Sequence, residues 1–392
     1  MQWNADFKLM NTHLPWIKVC ILLFLLLFFA CEVFALGITM RASKSTTGVQ
    51  GNHTSNYPSI SASGQYVAFM SLADTLVDGD TNGAFDVFVH DLQTGVTSRV
   101  SVSSAGVQAN GDNGIPAISP DGRYVAFDSG ADNLVDGDPN GASGMFVHDL
   151  QTGETSRVNV SGGTPAISSG GRYVAFVSSA DDLVTGDTNG KADVFVNDRQ
   201  TGVTSRVSVS SAGAQGNNGS SSSSAAISSD GRYVAFESWA DNLVDGDTNG
   251  AWDVFVHDLQ TGVTSRVSVS SEGEQGNGGS SMSSFSFYGR YVTFYSEADN
   301  LVVGDTNDES DIFVHDRLTG ETSRVSVSSE GVQSNNDSYV PSISSDGRHI
   351  AFESEATNLV TGDTNGHRDI FVHDRQPGEA SMPWLLLLLL NL

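Results

Sequence analysis

The sequence predicts an all-β protein: a six-bladed β-propeller of four-stranded antiparallel blades, closed by an N-terminal strand that completes the last blade. Three observations carry this. A repeat of about 58 residues occurs six times. A complete copy reads as four short strands with turn residues at fixed offsets. The last copy lacks a strand that the N-terminus can supply.

The repeat is clearest at Gly122-Arg123-Tyr124-Val125-Ala126-Phe127, which recurs with small changes at 64–69, 171–176, 231–236, 289–294 and 347–352. From Tyr66 to the equivalent His349 the steps are 58, 49, 60, 58 and 58 residues. Within each copy a Pro-Ser-Ile-Ser-like strand comes first, as at Pro58 to Ser61. An Asp-Gly turn follows, such as Asp121-Gly122, then the Tyr-Val-Ala-Phe strand. A long acidic loop leads to an Asp-Val-Phe-Val-His-Asp strand, as at Asp253 to Asp258. A Thr-Gly turn then opens the last strand, as at Thr97 to Ser103, where Val alternates with Arg and Ser. No stretch after the N-terminal apolar segment has helical periodicity.

The sixth copy runs normally to Asp374 and then degenerates into Ala380-Ser381-Met382-Pro383-Trp384. Its missing strand has a match at Ile38-Thr39-Met40-Arg41-Ala42-Ser43, 58 residues before Val96 to Ser101. The N-terminal strand is therefore expected to pair into the last blade, which leaves no open edge.

The termini read differently. Lys8 and Lys18 precede an apolar run from Val19 to Ala30, and Val33-Phe34-Ala35 offers a cleavage site. Residues 1–35 are expected to be a signal peptide, with a retained membrane anchor as the alternative. Phe28-Phe29-Ala30-Cys31 resembles a lipobox with Phe in place of Leu. Both cysteines, Cys20 and Cys31, fall in this segment, so the mature chain would carry no disulfide. Residues 36–382 form the propeller, and 383–392 make a short apolar tail that cannot span a bilayer. A net charge of −27 disfavours nucleic acid and suits cations and solubility. These features predict a bacterial protein exported to the periplasm, cell surface or medium. It is expected to be a monomer, with membrane contact only through an uncleaved N-terminus.

Ser119-Pro120-Asp121-Gly122-Arg123-Tyr124-Val125-Ala126-Phe127, together with Asp86 to Asp91 and the Thr-Gly-x-Thr-Ser-Arg-Val segment, resembles the TolB-like β-propeller repeat. The resemblance covers nearly all of the mature chain and implies the fold. Members serve many roles, including a periplasmic part of the Tol-Pal envelope system, so it implies no single function.

The strand order puts the acidic loops and the Gly/Ser/Asn-rich links between blades, such as Ser211 to Ser224, on one face. Each acidic loop places oxygen-bearing side chains at alternate positions, as the start of a calcium loop does. The repeating set is Asp80, Asn82, Asp86; Asp187, Asn189, Asp193; Asp247, Asn249, Asp253; Asp305, Asn307, Asp311; and Asp363, Asn365, Asp369. In the second copy Gly144 replaces the last Asp, and Val89 stands where an EF-hand needs Glu. Two readings stand for these residues, a Ca²⁺ site or turn chemistry.

His90, His148, His257, His315 and His373, with Asn197 in the third copy, hold one register and read as structural. Arg99, Arg123 and their copies are expected to pair with the repeated Asp residues between strands or blades. Trp239 and Trp252 flank the fourth acidic loop as packing or a sugar-stacking spot. No catalytic constellation stands out, because near-identical blades lack unlike groups at one place. The functional expectation is a non-enzymatic scaffold that binds a protein or polysaccharide through the acidic, loop-rich face. The alternative is a glycan hydrolase or lyase with acids at the central channel.

Overall fold

The computed structural model describes residues 37–136, 144–158, 166–168, 172–198 and 200–375. The expected signal peptide at 1–35 and the tail at 383–392 lie outside the described residues. Within them the chain is all β, with no helix, and forms six four-stranded antiparallel sheets.

Strand β1 (Ile38–Arg41) comes first and belongs to the last blade. Blade I holds β2 (Ser55–Ile60), β3 (Tyr66–Ser71), β4 (Asp86–Asp91) and β5 (Thr97–Arg99). Blade II holds β6 (Ala117–Ile118), β7 (Tyr124–Ser129), β8 (Gly144–Asp149) and β9 (Thr155–Val158). Blade III holds β10 (Ala166–Ile167), β11 (Tyr173–Ser178), β12 (Asp193–Asp198) and β13 (Val203–Arg206). Blade IV holds β14 (Ser220–Ile227), β15 (Tyr233–Ser238), β16 (Asp253–Asp258) and β17 (Thr264–Arg266). Blade V holds β18 (Ser280–Phe285), β19 (Tyr291–Ser296), β20 (Asp311–Asp316) and β21 (Thr322–Arg324). Blade VI holds β22 (Ser338–Ile343), β23 (His349–Ser354) and β24 (Asp369–Asp374), and β1 pairs antiparallel with β24. The expected ring closure is therefore present.

First strands of neighbouring blades touch, β14 with β18, β18 with β22, and β22 with β2 across the closure. They line the axis, and β1, β5, β9, β13, β17 and β21 form the rim.

Alternation along the strands explains the packing. Ala68, Val87 and Val89 leave one face of blade I and meet Val125, Phe127 and Phe146 of blade II. Val67, Phe69 and Phe88 leave its other face and meet Ala351, Ile370 and Val372 of blade VI. Both faces of a blade are thus buried, which is why its two middle strands carry unbroken apolar cores, Val67-Ala68-Phe69 and Val87-Phe88-Val89 in blade I. In every blade a Phe of the second strand faces a Phe of the third, with centroids 5.8–6.1 Å apart.

Tight turns seat the blades against each other. Gly231 has φ +73°, and a Cβ there would collide with the Tyr173 ring of blade III. Gly64, Gly122, Gly289 and Gly347 repeat this seat against His349, Tyr66, Tyr233 and Tyr291. The Asp-Gly turn is needed both for its backbone hand and for the neighbour's ring.

Candidate binding site

The acidic loops fasten the blades from within. In blade I the Arg99 Nη1 lies 3.3 Å from both Asp80 Oδ1 and Asp86 Oδ2. Gln108 Nε2 donates to the same two carboxylates at 2.7 and 2.8 Å. Asn82 Nδ2 donates to Asp86 and to the Ala109 carbonyl at 3.2 and 2.9 Å, and Ser101 Oγ donates to Asp86 Oδ1 at 2.5 Å. Arg206 bridges Asp187 and Asp193, Arg266 bridges Asp247 and Asp253, Arg324 bridges Asp305 and Asp311, and Arg41 bridges Asp363 and Asp369. Asn189, Asn249, Asn307 and Asn365 repeat the bond of Asn82. In blade II, Gly144 leaves room that Arg157 fills, its Nε 2.8 Å from where a Cβ would stand.

Asp86, Asp193, Asp253, Asp311 and Asp369 are fully buried, while Asp80, Asn82, Arg99 and Gln108 are half-buried. Burial, and then the neighbouring Asp86, pushes the Asp80 carboxyl above its ordinary value; burial likewise raises Asp247 and Asp305. Calcium would need six to eight oxygens around one point. Here a guanidinium and an amide, both donors, stand between the two carboxylates. Among the described residues no group of three or more His, Cys, Asp or Glu converges as a metal would need. The arginine partners run between strands of one blade rather than between blades.

The repeated histidines tie blade to blade at the rim. His90 Nδ1 lies 2.8 Å from Thr97 Oγ1, and that hydroxyl donates to the Lys44 carbonyl of blade VI at 2.5 Å. The same chain of bonds joins His148, Thr155 and Val102; His257, Thr264 and Val209; His315, Thr322 and Val269; and His373, Thr39 and Val327. The hydroxyl spends its one proton on the carbonyl, so the imidazole donates from Nδ1. Asn197 supports this polarity, because its Nδ2, which can only donate, reaches Thr204 Oγ1 at 3.0 Å.

The distinctive chemistry lies where the repeats differ. The fifth residue of each second strand sits between an unvarying Phe and an unvarying Ser, yet reads Met70, Asp128, Val177, Glu237, Tyr295 and Glu353 around the ring. This position lies beside the axial strands on the loop-rich face. Glu237 Oε2 accepts the Met282 N–H of the next blade at 3.0 Å and also the Ser281 hydroxyl. Glu353 Oε2 accepts the Tyr57 N–H across the ring closure at 2.8 Å. Between them, the Tyr295 and Tyr339 rings meet edge to face at 5.3 Å.

Backbone strain collects at the same place. Tyr57, Met282 and Val340 have φ of 53°, 49° and 49° at bulges in β2, β18 and β22. Such conformations cost on the order of 1–3 kcal/mol and gather at functional sites. The two glutamate bonds hold two of them.

Arg368 completes this mouth. Its guanidinium binds Glu353 at 2.7 Å and Glu355 at 2.8 Å and lies over the Tyr339 ring at 5.2 Å. Burial pushes the Glu353 carboxyl up and the Tyr339 hydroxyl up to about 12. On blade IV, Trp239 and Trp252 meet edge to face at 5.7 Å, and Trp239 is 46% exposed. The sequence marked the tryptophans. It did not mark Glu237, Tyr295, Tyr339, Glu353 or Arg368, although divergence between aligned repeats was a signal that could have found them.

No family model matches the chain, and no curated protein matches it. Solved structures similar to it include TolB from Acinetobacter baumannii, at 16% identity and TM-score 0.41, covering 75% of this chain and 61% of that one. Oligogalacturonate lyase from Vibrio parahaemolyticus is 14% identical, covering 88% of this chain and 98% of that one, with TM-score 0.45. The β-propeller domain of the Trilobed protease from Pyrococcus furiosus is 10% identical and covers 81% of each chain, with TM-score 0.41. The chain spans 61% of the length of the Acinetobacter protein. The likeness to TolB-like propellers is one of fold, and no site residue passes from these proteins to this chain.

Proposed function

We propose that the protein is an exported, non-enzymatic scaffold that binds a polysaccharide over the axial mouth of its loop-rich face. The half-exposed Trp239, set edge to face with Trp252 and two residues beyond Glu237 at the mouth, carries this reading. An indole face takes the apolar face of a sugar ring, and polar groups nearby take its hydroxyls. Asp337, Glu355, Tyr295 and Tyr339 supply such groups on blades V and VI. Glu237 and Glu353 are engaged in holding strained backbone, which supports a fixed binding surface over proton-transfer chemistry. The basic n-region and apolar run before residue 36 support export.

A glycan array with the full-length protein, followed by calorimetry, tests this reading. Polysaccharide binding that weakens at least about tenfold in Trp239→Ala is expected. Ser156→Ala, in the exposed rim strand β9 and away from the mouth, should bind as the native protein does. Capture of a protein with no retained glycan would overturn the polysaccharide assignment. Release of cleaved sugar, lost on changing one carboxylate at the mouth, would overturn the non-enzymatic one.

A further inference from the structure

Five blades carry an arginine just before the first residue of the second strand. Arg123, Arg172, Arg232, Arg290 and Arg348 each clamp the Asp that ends the third strand, at 2.7–2.9 Å. In blades II to V the same guanidinium covers the ring of the following tyrosine, 4.7–4.8 Å from its centroid. A second arginine comes from the next blade in two cases, Arg317 over Tyr233 at 4.1 Å and Arg375 over Tyr291 at 4.8 Å.

Blade I breaks this pattern. Gln65 replaces the arginine, and its amide reaches Asp91 at 3.2 and 3.3 Å. At the position of Arg317 and Arg375, blade II carries Leu150, which lines the same cleft as Tyr66. Among the described residues, no arginine or lysine lies within ion-pair distance of Asp91 or stacks on Tyr66. A cleft of about 560 Å³ opens here on the tight-turn face, lined by Tyr66, Asp91, Val96, Asp121 and Leu150. Arg123 also lines it, but Asp149 binds that guanidinium at 2.7 Å.

We propose that this cleft between blades I and II binds the guanidinium of an arginine side chain presented by a partner polypeptide. The protein's own blades show the complex it would form. Asp91 takes two N–H groups of the planar fork, and the Tyr66 ring takes its face. Val96 and Leu150 take the methylene stem, and Asp121 adds a second carboxylate at the entrance. A lysine ammonium cannot match both the fork and the stack. The cleft is large enough for a side chain with its flanking backbone, which favours a polypeptide over a free amino acid. This site lies on the face opposite the axial mouth and does not depend on its reading.

Calorimetric titration of the full-length protein with a blocked arginine dipeptide tests this, alongside the lysine and citrulline counterparts and free arginine. Saturable binding of the arginine dipeptide is expected, at least about tenfold tighter than either counterpart. Gln65→Arg supplies the missing group from within, so it should abolish binding and raise the melting midpoint. Asp91→Asn keeps the oxygen that accepts from the Gln93 N–H and should lose binding with the fold intact. No saturation by the arginine dipeptide, or equal binding in Gln65→Arg, would sink the proposal. Free arginine binding more tightly than the dipeptide would overturn the polypeptide source.

Discussion

A buried histidine that must stay neutral makes folding depend on pH, and five stand at one register in this ring. Burial holds His90 and His373 down to about 4, and lowers His148, His257 and His315 as well. The unfolded chain therefore takes up protons first as pH falls below about 6.5. The histidines' stabilising contribution is whole above that pH and is lost as pH falls toward about 4, at roughly 1.4 kcal/mol per unit of depression. Asp198 and Asp316, held down to about 2 chiefly by Arg172 and Arg290, lose their contribution only below the ordinary carboxylate range. Urea midpoints at about pH 7 and about pH 4.5 should fall steeply for the native sequence. His373→Asn should fall less, because Asn197 shows that an amide can hold the equivalent threonine, Thr204 in blade III. An unchanged slope in that variant would remove the histidines as the cause. The acidic residues give a second test at this scale. If arginine occupies the loops as a fastening, millimolar Ca²⁺ and chelator leave the melting midpoint unchanged. A rise with Ca²⁺ that disappears in Asp80→Asn would assign the loops to metal.

At the scale of the element, turns carry more than local geometry. Gly231 and Gly262 have nearly equal φ, +73° and +72°, but only Gly231 meets a neighbour's ring. Gly262→Ala therefore reports backbone strain alone, about 1 kcal/mol. Gly231→Ala adds a clash with Tyr173 and should cost about 1–3 kcal/mol more, read as a larger fall in the urea midpoint. Equal losses would show that the blade seam yields freely. This turn was legible in the sequence as Asp-Gly. The ring packed on it was not, because the tyrosine belongs to another blade.

Over the whole molecule, the closure is the element to test. β1 covers the edge of β24, and Thr39 and Arg41 tie it to blade V and to the last acidic loop. Deleting residues 38–41 would expose that edge and leave Asp363 and Asp369 without their guanidinium. A lowered melting midpoint with new oligomers by light scattering is expected. An unaltered midpoint would mean the ring does not need its closing strand.

Repetition made the fold readable. Six copies of one strand pattern, and a missing strand matched 58 residues away, determined the blade count, the strand order and the closure by themselves. Alternation and turn chemistry are local, so spacing alone records them. Tertiary structure decided which groups the repeated polar residues meet. Asp80 and Asp86 read as ion ligands or turn formers from spacing, and only folding shows Arg99 and Gln108 set against both carboxylates. It also decided that Glu237, Tyr295 and Glu353 share one mouth, and that Gln65 leaves one cleft without its arginine. Those groups come from different blades, and only the closed ring sets the distances between them.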